Sequence, residues 1–169
     1  MNYNITKKDK FKYLYRPLLM ILSFCFVFAL ILKYYYNYNS FMFLKIFLGT
    51  YIGQSFLFLI PLSIFFYNYL NKDRDTILII EDNGQRFIYQ NKNIKILFVE
   101  KDIEKVIFHL SPPLYDKRST WLHWDDYFYS EIITNKGVFK IGCLVISNLE
   151  DYIKQDKIER RKVYFPLIK

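Results

Sequence analysis

Two long stretches almost free of charge decide what this chain can fold into. From Pro17 to Leu70 the only charged residues are Lys33 and Lys45, and apolar side chains at that density demand either a large protein core or a membrane. The first stretch, RPLLMILSFCFVFALILKYYYNY, is uncharged and mostly apolar from Pro17 to Leu32, about 24 Å at the helical rise of 1.5 Å per residue. Leu14 and Tyr15 on one side and Tyr34 to Tyr36 on the other extend it to roughly the 30 Å of a bilayer core, with Lys33 placed to snorkel and the tyrosines at headgroup depth. It is followed by KYYYNYNS and not by a small-residue cleavage site, so it reads as an uncleaved helix. The second stretch, IFLGTYIGQSFLFLIPLSIFFYNYL, carries no charge from Ile46 to Leu70. Within it Gly49 and Gly53 have the spacing of a helix-packing pair, Gln54 is polar, and Pro61 removes a backbone donor. The expected spans are residues 15–36 and 46–70, joined by a short outer loop over residues 34–44.

The distribution of charge narrows the function classes. The formal charge is +8. Residues 1–16 hold Lys7, Lys8, Lys10, Lys12 and Arg16 against Asp9, while residues 71–169 hold 17 basic and 15 acidic groups. The segment after the second apolar run is therefore nearly neutral, whereas a nucleic-acid binder concentrates its cations on the folded domain, so nucleic acid is not expected as a partner. The surplus flanks the apolar segments instead, and the positive-inside rule puts both termini in the cytoplasm of a multi-pass inner-membrane protein. Cys25 and Cys143 have no obvious disulfide partner, which suits a reducing compartment. The expected organisation is a basic cytosolic N-terminus (1–16), two transmembrane helices (17–70) and a cytosolic domain (71–169).

That domain reads as mainly β. TILIIEDNGQRFIYQ predicts a hairpin turning at Asn83–Gly84, NIKILF and VIFHL predict further strands about a charged corner at residues 100–105, and Pro112 and Pro113 end the second of them. YFYSEIITNKGVFKIGCLVIS predicts a second hairpin turning at residues 135–137, with Phe139, Ile141, Cys143 and Val145 on one face. Ser147 and Glu150 stand at capping-box spacing before Leu149, Tyr152 and Ile153, predicting a C-terminal amphipathic helix. The fold class is a membrane helical hairpin plus a mainly-β soluble domain: about six antiparallel strands in an open barrel or sandwich, capped by that helix. This layout, with ILFVEKDIEKVIFHLS at its centre and Phe98, Glu100, Ile103 and Val106 about a strand-to-strand corner, resembles the bacterial pleckstrin-homology-like (PH-like) membrane proteins, the YcxB-like group among them. The resemblance implies a PH-like domain serving a protein or lipid partner, and it offers no role for the insert over residues 111–124.

Candidate chemistry concentrates in WLHWDDYFYSEI. A zinc site would need more ligands than His123, Asp125 and Asp126, yet the chain has only one other histidine, His109, and no paired cysteines nearby. Ser130 lies in an ordinary strand pattern without a nucleophile turn. No catalytic residue, metal or cofactor is therefore assigned, and the chain is read as a non-enzyme. Trp121, His123, Trp124, Tyr127 and Tyr129 are instead candidates for a partner surface, since aromatic residues beside charges are frequent at interfaces. Lys7, Lys8, Lys10 and Lys12, with Lys154, Lys157, Arg160 and Arg161, are candidates for contact with anionic lipid. The expected function is binding or scaffolding at the cytosolic membrane face, with membrane lipids and a protein partner or a second copy as partners. The alternatives are a membrane-embedded enzyme or transport accessory using Gln54, Ser55 and Pro61, and an immunity or stress-response membrane factor.

Overall fold

Leucine, isoleucine and phenylalanine, with few charges among them, form most of two helices, α1 (Lys7–Tyr36) and α2 (Ser40–Asp73), each long and apolar enough to cross a membrane. They are seen in a computed structural model that describes residues 1–168 except Asn93 and Trp121, and except the side chain of Asn83. Thr6 starts α1 with a reciprocal cap, its hydroxyl accepting the Asp9 N–H while the Asp9 carboxylate accepts the Thr6 N–H. Asn37, at φ +53°, ends α1, and Asn39 opens α2 by accepting the Met42 N–H at 2.9 Å. The expected loop over residues 34–44 thus shrinks to residues 37–39. Two asparagines suited to left-handed backbone and to N-capping set the turn, and the helix-forming residues on either side of them remain helical.

Each helix holds a π turn two residues before a proline: Phe11–Tyr15 precedes Pro17 and Ser55–Leu59 precedes Pro61. Proline offers no N–H to the carbonyl four residues earlier, so the ladder loosens there. Pro17, Ile21, Cys25 and Ala29 recur every four residues as the buried stripe of α1, and Phe26 sets its ring edge-on to Phe43 and Phe47 of α2. The two glycines expected to pack the helices stand elsewhere: a Cβ at Gly49 or Gly53 would meet nothing within 4 Å. The small residues at the crossing are Cys25 and Ala29.

The β-rich part forms two four-stranded sheets. Strands β1 (Asn2–Tyr3), β2 (Thr76–Glu81), β3 (Arg86–Asn91) and β4 (Ile94–Val99) pair antiparallel in that order. The second sheet has the order β7-β6-β5-β8, from β5 (Ile103–Leu110), β6 (Phe128–Thr134), β7 (Gly137–Gly142) and β8 (Ile158–Lys162). At the corner between the sheets the Asp102 carboxylate accepts the Val99 N–H at 3.1 Å. Phe87, Phe98 and Phe139 stack across the core with centroids 5.4 and 5.3 Å apart, and burying each such ring is worth about 1.5–3 kcal/mol.

Several expectations are corrected here. Eight strands are present among the described residues, where about six are expected in an open barrel or sandwich, and they lie in two sheets. Strand β8 runs parallel to β5, and β1 comes from the segment expected to be only a basic tail. The C-terminal helix is absent among the described residues. Leu149–Tyr152 makes one 3-10 turn that buries Leu149, and Ile153 is already extended and buried. The chain needs that extended path to lay β8 along β5. The first hairpin turns over residues 82–85, with Asp82 at φ +49° and Gly84 at φ +98°, because the loop must pass Tyr152: a Cβ on Gly84 would lie 2.7 Å from the Tyr152 carbonyl. Cys143 leaves the face shared by Phe139 and Ile141, since β7 ends at Gly142 and the thiol turns toward the helices.

Candidate functional site

Strand β6 is covered on both faces. Ile132 enters the core between the sheets, whereas Tyr129 and the preceding Tyr127 face the helices. Tyr127 is fully buried, its ring 5.2 Å from Tyr13 of α1 and 5.6 and 5.1 Å from Phe65 and Tyr69 of α2. Its hydroxyl donates to the Tyr13 carbonyl at 3.2 Å. That carbonyl is the one Pro17 leaves without a helical donor, so the tyrosine completes a bond the sequence of α1 forbids.

The lower part of α2 is fastened at two further points. Asp73 is buried, and its carboxylate accepts the Gly142 N–H at 2.9 Å. A Cβ on Gly142 would lie 2.2 Å from that carboxylate and 2.5 Å from the Tyr69 ring, so only glycine allows the sheet this close. Burial pushes the Asp73 carboxyl up to about 7 although the Gly142 N–H pulls it down, and burial likewise pushes the Cys143 thiol up to about 12. Asn68 brackets the backbone of Ile168 with two hydrogen bonds of 2.9 and 3.2 Å.

The expected partner surface therefore divides. Tyr127 and Tyr129 are buried in the junction between helices and sheet, and cannot present themselves to another molecule. Trp121 lies outside the described residues. His123 and Trp124 belong to a 3-10 turn, His123–Asp126, whose backbone is pinned where the Leu122 N–H meets the Asp125 carboxylate at 3.2 Å. Trp124 reaches α2, its ring 6.1 Å from Phe58. Burial lowers the His123 imidazole's affinity for a proton, nearby Asp126 opposes this, and Arg16 adds to it.

Two cavities meet at this turn. One, of about 370 Å³, is bordered by Lys12, Arg16, Thr120, His123 and Asp126 with Met20 at its edge. The other, of about 400 Å³, lies among Met20, Ile21, Phe24, Gln54, Phe58 and His123. Met20 and His123 border both. Among the described residues no three His, Cys, Asp or Glu side chains gather as a metal would require.

The two sets of cations differ. Those near the C-terminus are engaged within the fold: Lys154 pairs with Glu100 at 3.2 Å, Lys157 caps the carbonyls of Glu100 and Ile103, Arg160 pairs with Glu150 at 2.7 Å and Arg161 with Glu159 at 2.6 Å. At the other end Lys7, Lys8, Lys12 and Arg16 are exposed and Lys10 is half-buried. The sequence did not single out Tyr13, Arg16, Asp73 or Gly142 as site residues. Only the proximity of Asp73 to the end of the apolar run could have flagged it.

A family model described as a PH domain matches residues 2–151. The chain belongs to the PH-domain family. No curated protein and no solved structure matches it. The matched range takes in β1, both helices and both sheets up to the turn at Asp151. In this PH domain, then, the helical hairpin is inserted between the first and second strands instead of preceding the domain as a separate anchor. PH domains are typically binding modules.

Proposed function

We propose that the chain is a membrane-anchored PH-like protein of the bacterial YcxB-like kind, binding or scaffolding at the cytosolic face of the inner membrane without catalysis. The observation that carries this reading is the bare apolar surface of the hairpin. Leu19, Phe24, Phe28 and Ile31 of α1 and Leu44, Leu48, Ile52 and Phe56 of α2 are all exposed, and a surface of that size in water would drive aggregation. Its height fits hydrocarbon. Residues 17–36 and 40–59 each make about 30 Å of helix, the thickness of a bilayer core. The lower ends of both segments lie where Arg16, His123 and Asp126 gather, and the upper ends where Tyr34, Tyr35 and Tyr36 crowd the turn. Lys33 and Lys45 lean over the rings of Phe43 and Phe41 at 5.6 and 4.4 Å, and Phe41 lies nearer the tip than Lys45, as snorkelling requires.

This shifts the second span from residues 46–70 to about 40–59, because Leu62, Phe65, Phe66 and Tyr69 pack on the PH domain. Both ends of the chain lie on one side, since β1 pairs with β2, and the basic residues 7–16 assign that side to the cytoplasm. Confinement near a surface raises the domain's effective concentration toward membrane-bound partners. The test is extraction and proteolysis. Alkaline carbonate should leave the full chain in the membrane pellet, and protease outside spheroplasts should spare the domain that inside-out vesicles expose. Release by carbonate, or digestion from outside, contradicts the proposal.

A further inference from the structure

The two cavities at the His123–Asp126 turn adjoin at Met20 and His123, which line both, and together make a cleft of divided character. Its lower part is polar and cationic: the Arg16 guanidinium has no hydrogen bond or ion pair among the described residues, and the Lys12 ammonium lies by the Tyr13 ring and hydroxyl, at 4.8 and 3.4 Å. Its upper part is apolar, running between the helices past Ile21, Phe24 and Phe58 with Gln54 as the polar exception. Asp126 is the one carboxylate bordering the lower part and offsets one of the two cations. We propose that this cleft binds one anionic glycerophospholipid of the cytosolic leaflet, its phosphate on Arg16 and Lys12 and one acyl chain in the groove between the helices. The inference rests on the membrane reading above.

Two independent features select this occupant. Charge complementarity places a phosphate at the lower part, which Lys12, Arg16 and Thr120 line together. Depth places the tails. If hydrocarbon begins at Pro17, Arg16 lies about 1.5 Å and Lys12 about 7.5 Å below it at the helical rise, within the headgroup layer of roughly 5–8 Å. Pro17, which lines the lower cavity, is then at the hydrocarbon boundary, and Met20, one turn deeper, borders both cavities. A soluble phosphate ester would satisfy the cations and leave the groove empty; a neutral lipid would fill the groove and leave the cations bare.

The experiment is native mass spectrometry of the full chain from detergent, with added dioleoyl phosphatidylglycerol, dioleoyl phosphatidylcholine or glycerol phosphate. Wild-type protein should retain one phosphatidylglycerol in preference to phosphatidylcholine, and millimolar glycerol phosphate should not displace it. Arg16→Gln should weaken that retention about fivefold and the double change Lys12→Gln/Arg16→Gln about 25-fold, from roughly 1 kcal/mol per cation. Met20→Trp, which fills the junction of the cavities, should abolish retention without touching a charge. Equal retention of the two lipids, displacement by glycerol phosphate, or unchanged binding in the Arg16→Gln protein overturns the cleft. Carbonate extraction of the same variants separates the two ideas: release of wild type from the pellet overturns the membrane reading, whereas firm retention with unselective lipid binding overturns the cleft alone.

Discussion

At the scale of single residues, the junction between helices and sheets rests on a few contacts that can each be removed. Replacing Tyr127 with Phe keeps the ring but leaves the Tyr13 carbonyl without a donor, and should cost about 1–2 kcal/mol, read as a lower Tm in detergent. Gly142→Ala forces a methyl into the Asp73 carboxylate and the Tyr69 ring, and should cost about 1–3 kcal/mol and loosen the domain from α2, read as faster proteolysis within residues 70–76. Asp73 gives a pH prediction. Its carboxyl sits at about 7 in the folded chain against an ordinary 3.8, so the folded state holds a proton that the unfolded chain has released. Stability should therefore fall as pH rises from about 4 to about 7 and level off above, by on the order of 4 kcal/mol in total. Asp73→Asn keeps an acceptor for the Gly142 N–H and should remove the slope, so that at pH 8 it melts above wild type and near pH 4 with it. Little of this was legible beforehand. Aromatic and acidic residues at WLHWDDYFYSEI marked a place of consequence, but whether Tyr127 faces a partner or the chain's own helices depends on where a segment over 100 residues away returns.

Local pattern carried the elements well where each is stabilised by its own neighbours. The two hairpins of β2–β3 and β6–β7, the corner at Asp102 and both apolar helices follow from alternation, turn residues and uninterrupted hydrophobicity. Pattern failed where long-range pairing decides. The Leu149, Tyr152 and Ile153 spacing suits a helix as well as a 3-10 turn, and the free edge of β5, which recruits β8, cannot be seen from residues 147–162 alone. β1 is two residues long and gains its structure entirely from β2 and from the 2.6 Å hydroxyl contact of Tyr3 with Tyr152. Tyr3→Pro should strip that edge, raising amide hydrogen exchange in β2 while leaving β5 and β6 protected. The cationic C-terminal segment should prove structural: Arg160→Gln should leave vesicle binding unchanged, since its guanidinium already serves Glu150.

For the molecule as a whole, one idea ties the pieces together: a PH domain interrupted after its first strand by a helical hairpin whose upper 30 Å or so is solvated by lipid and whose lower part is core for the domain. Hydropathy alone could not find the division, because Leu62, Phe65 and Phe66 packed on the domain look like the exposed Leu48 and Ile52 in sequence. The fold separates the two sets, by setting the His123 turn against Phe58 of α2 and the residues from Leu62 onward against the domain. The most direct test is a depth profile along α2, with single nitroxide labels at exposed positions 44, 48, 52, 56, 64 and 67 of the full chain in vesicles, comparing collision with oxygen and with a water-soluble nickel complex. Oxygen accessibility should peak around residues 48–52, and the nickel complex should reach labels at 64 and 67. Labels at 64 and 67 as deep as that at 52, or a label at 48 open to nickel, would contradict this division of the helix between membrane and domain.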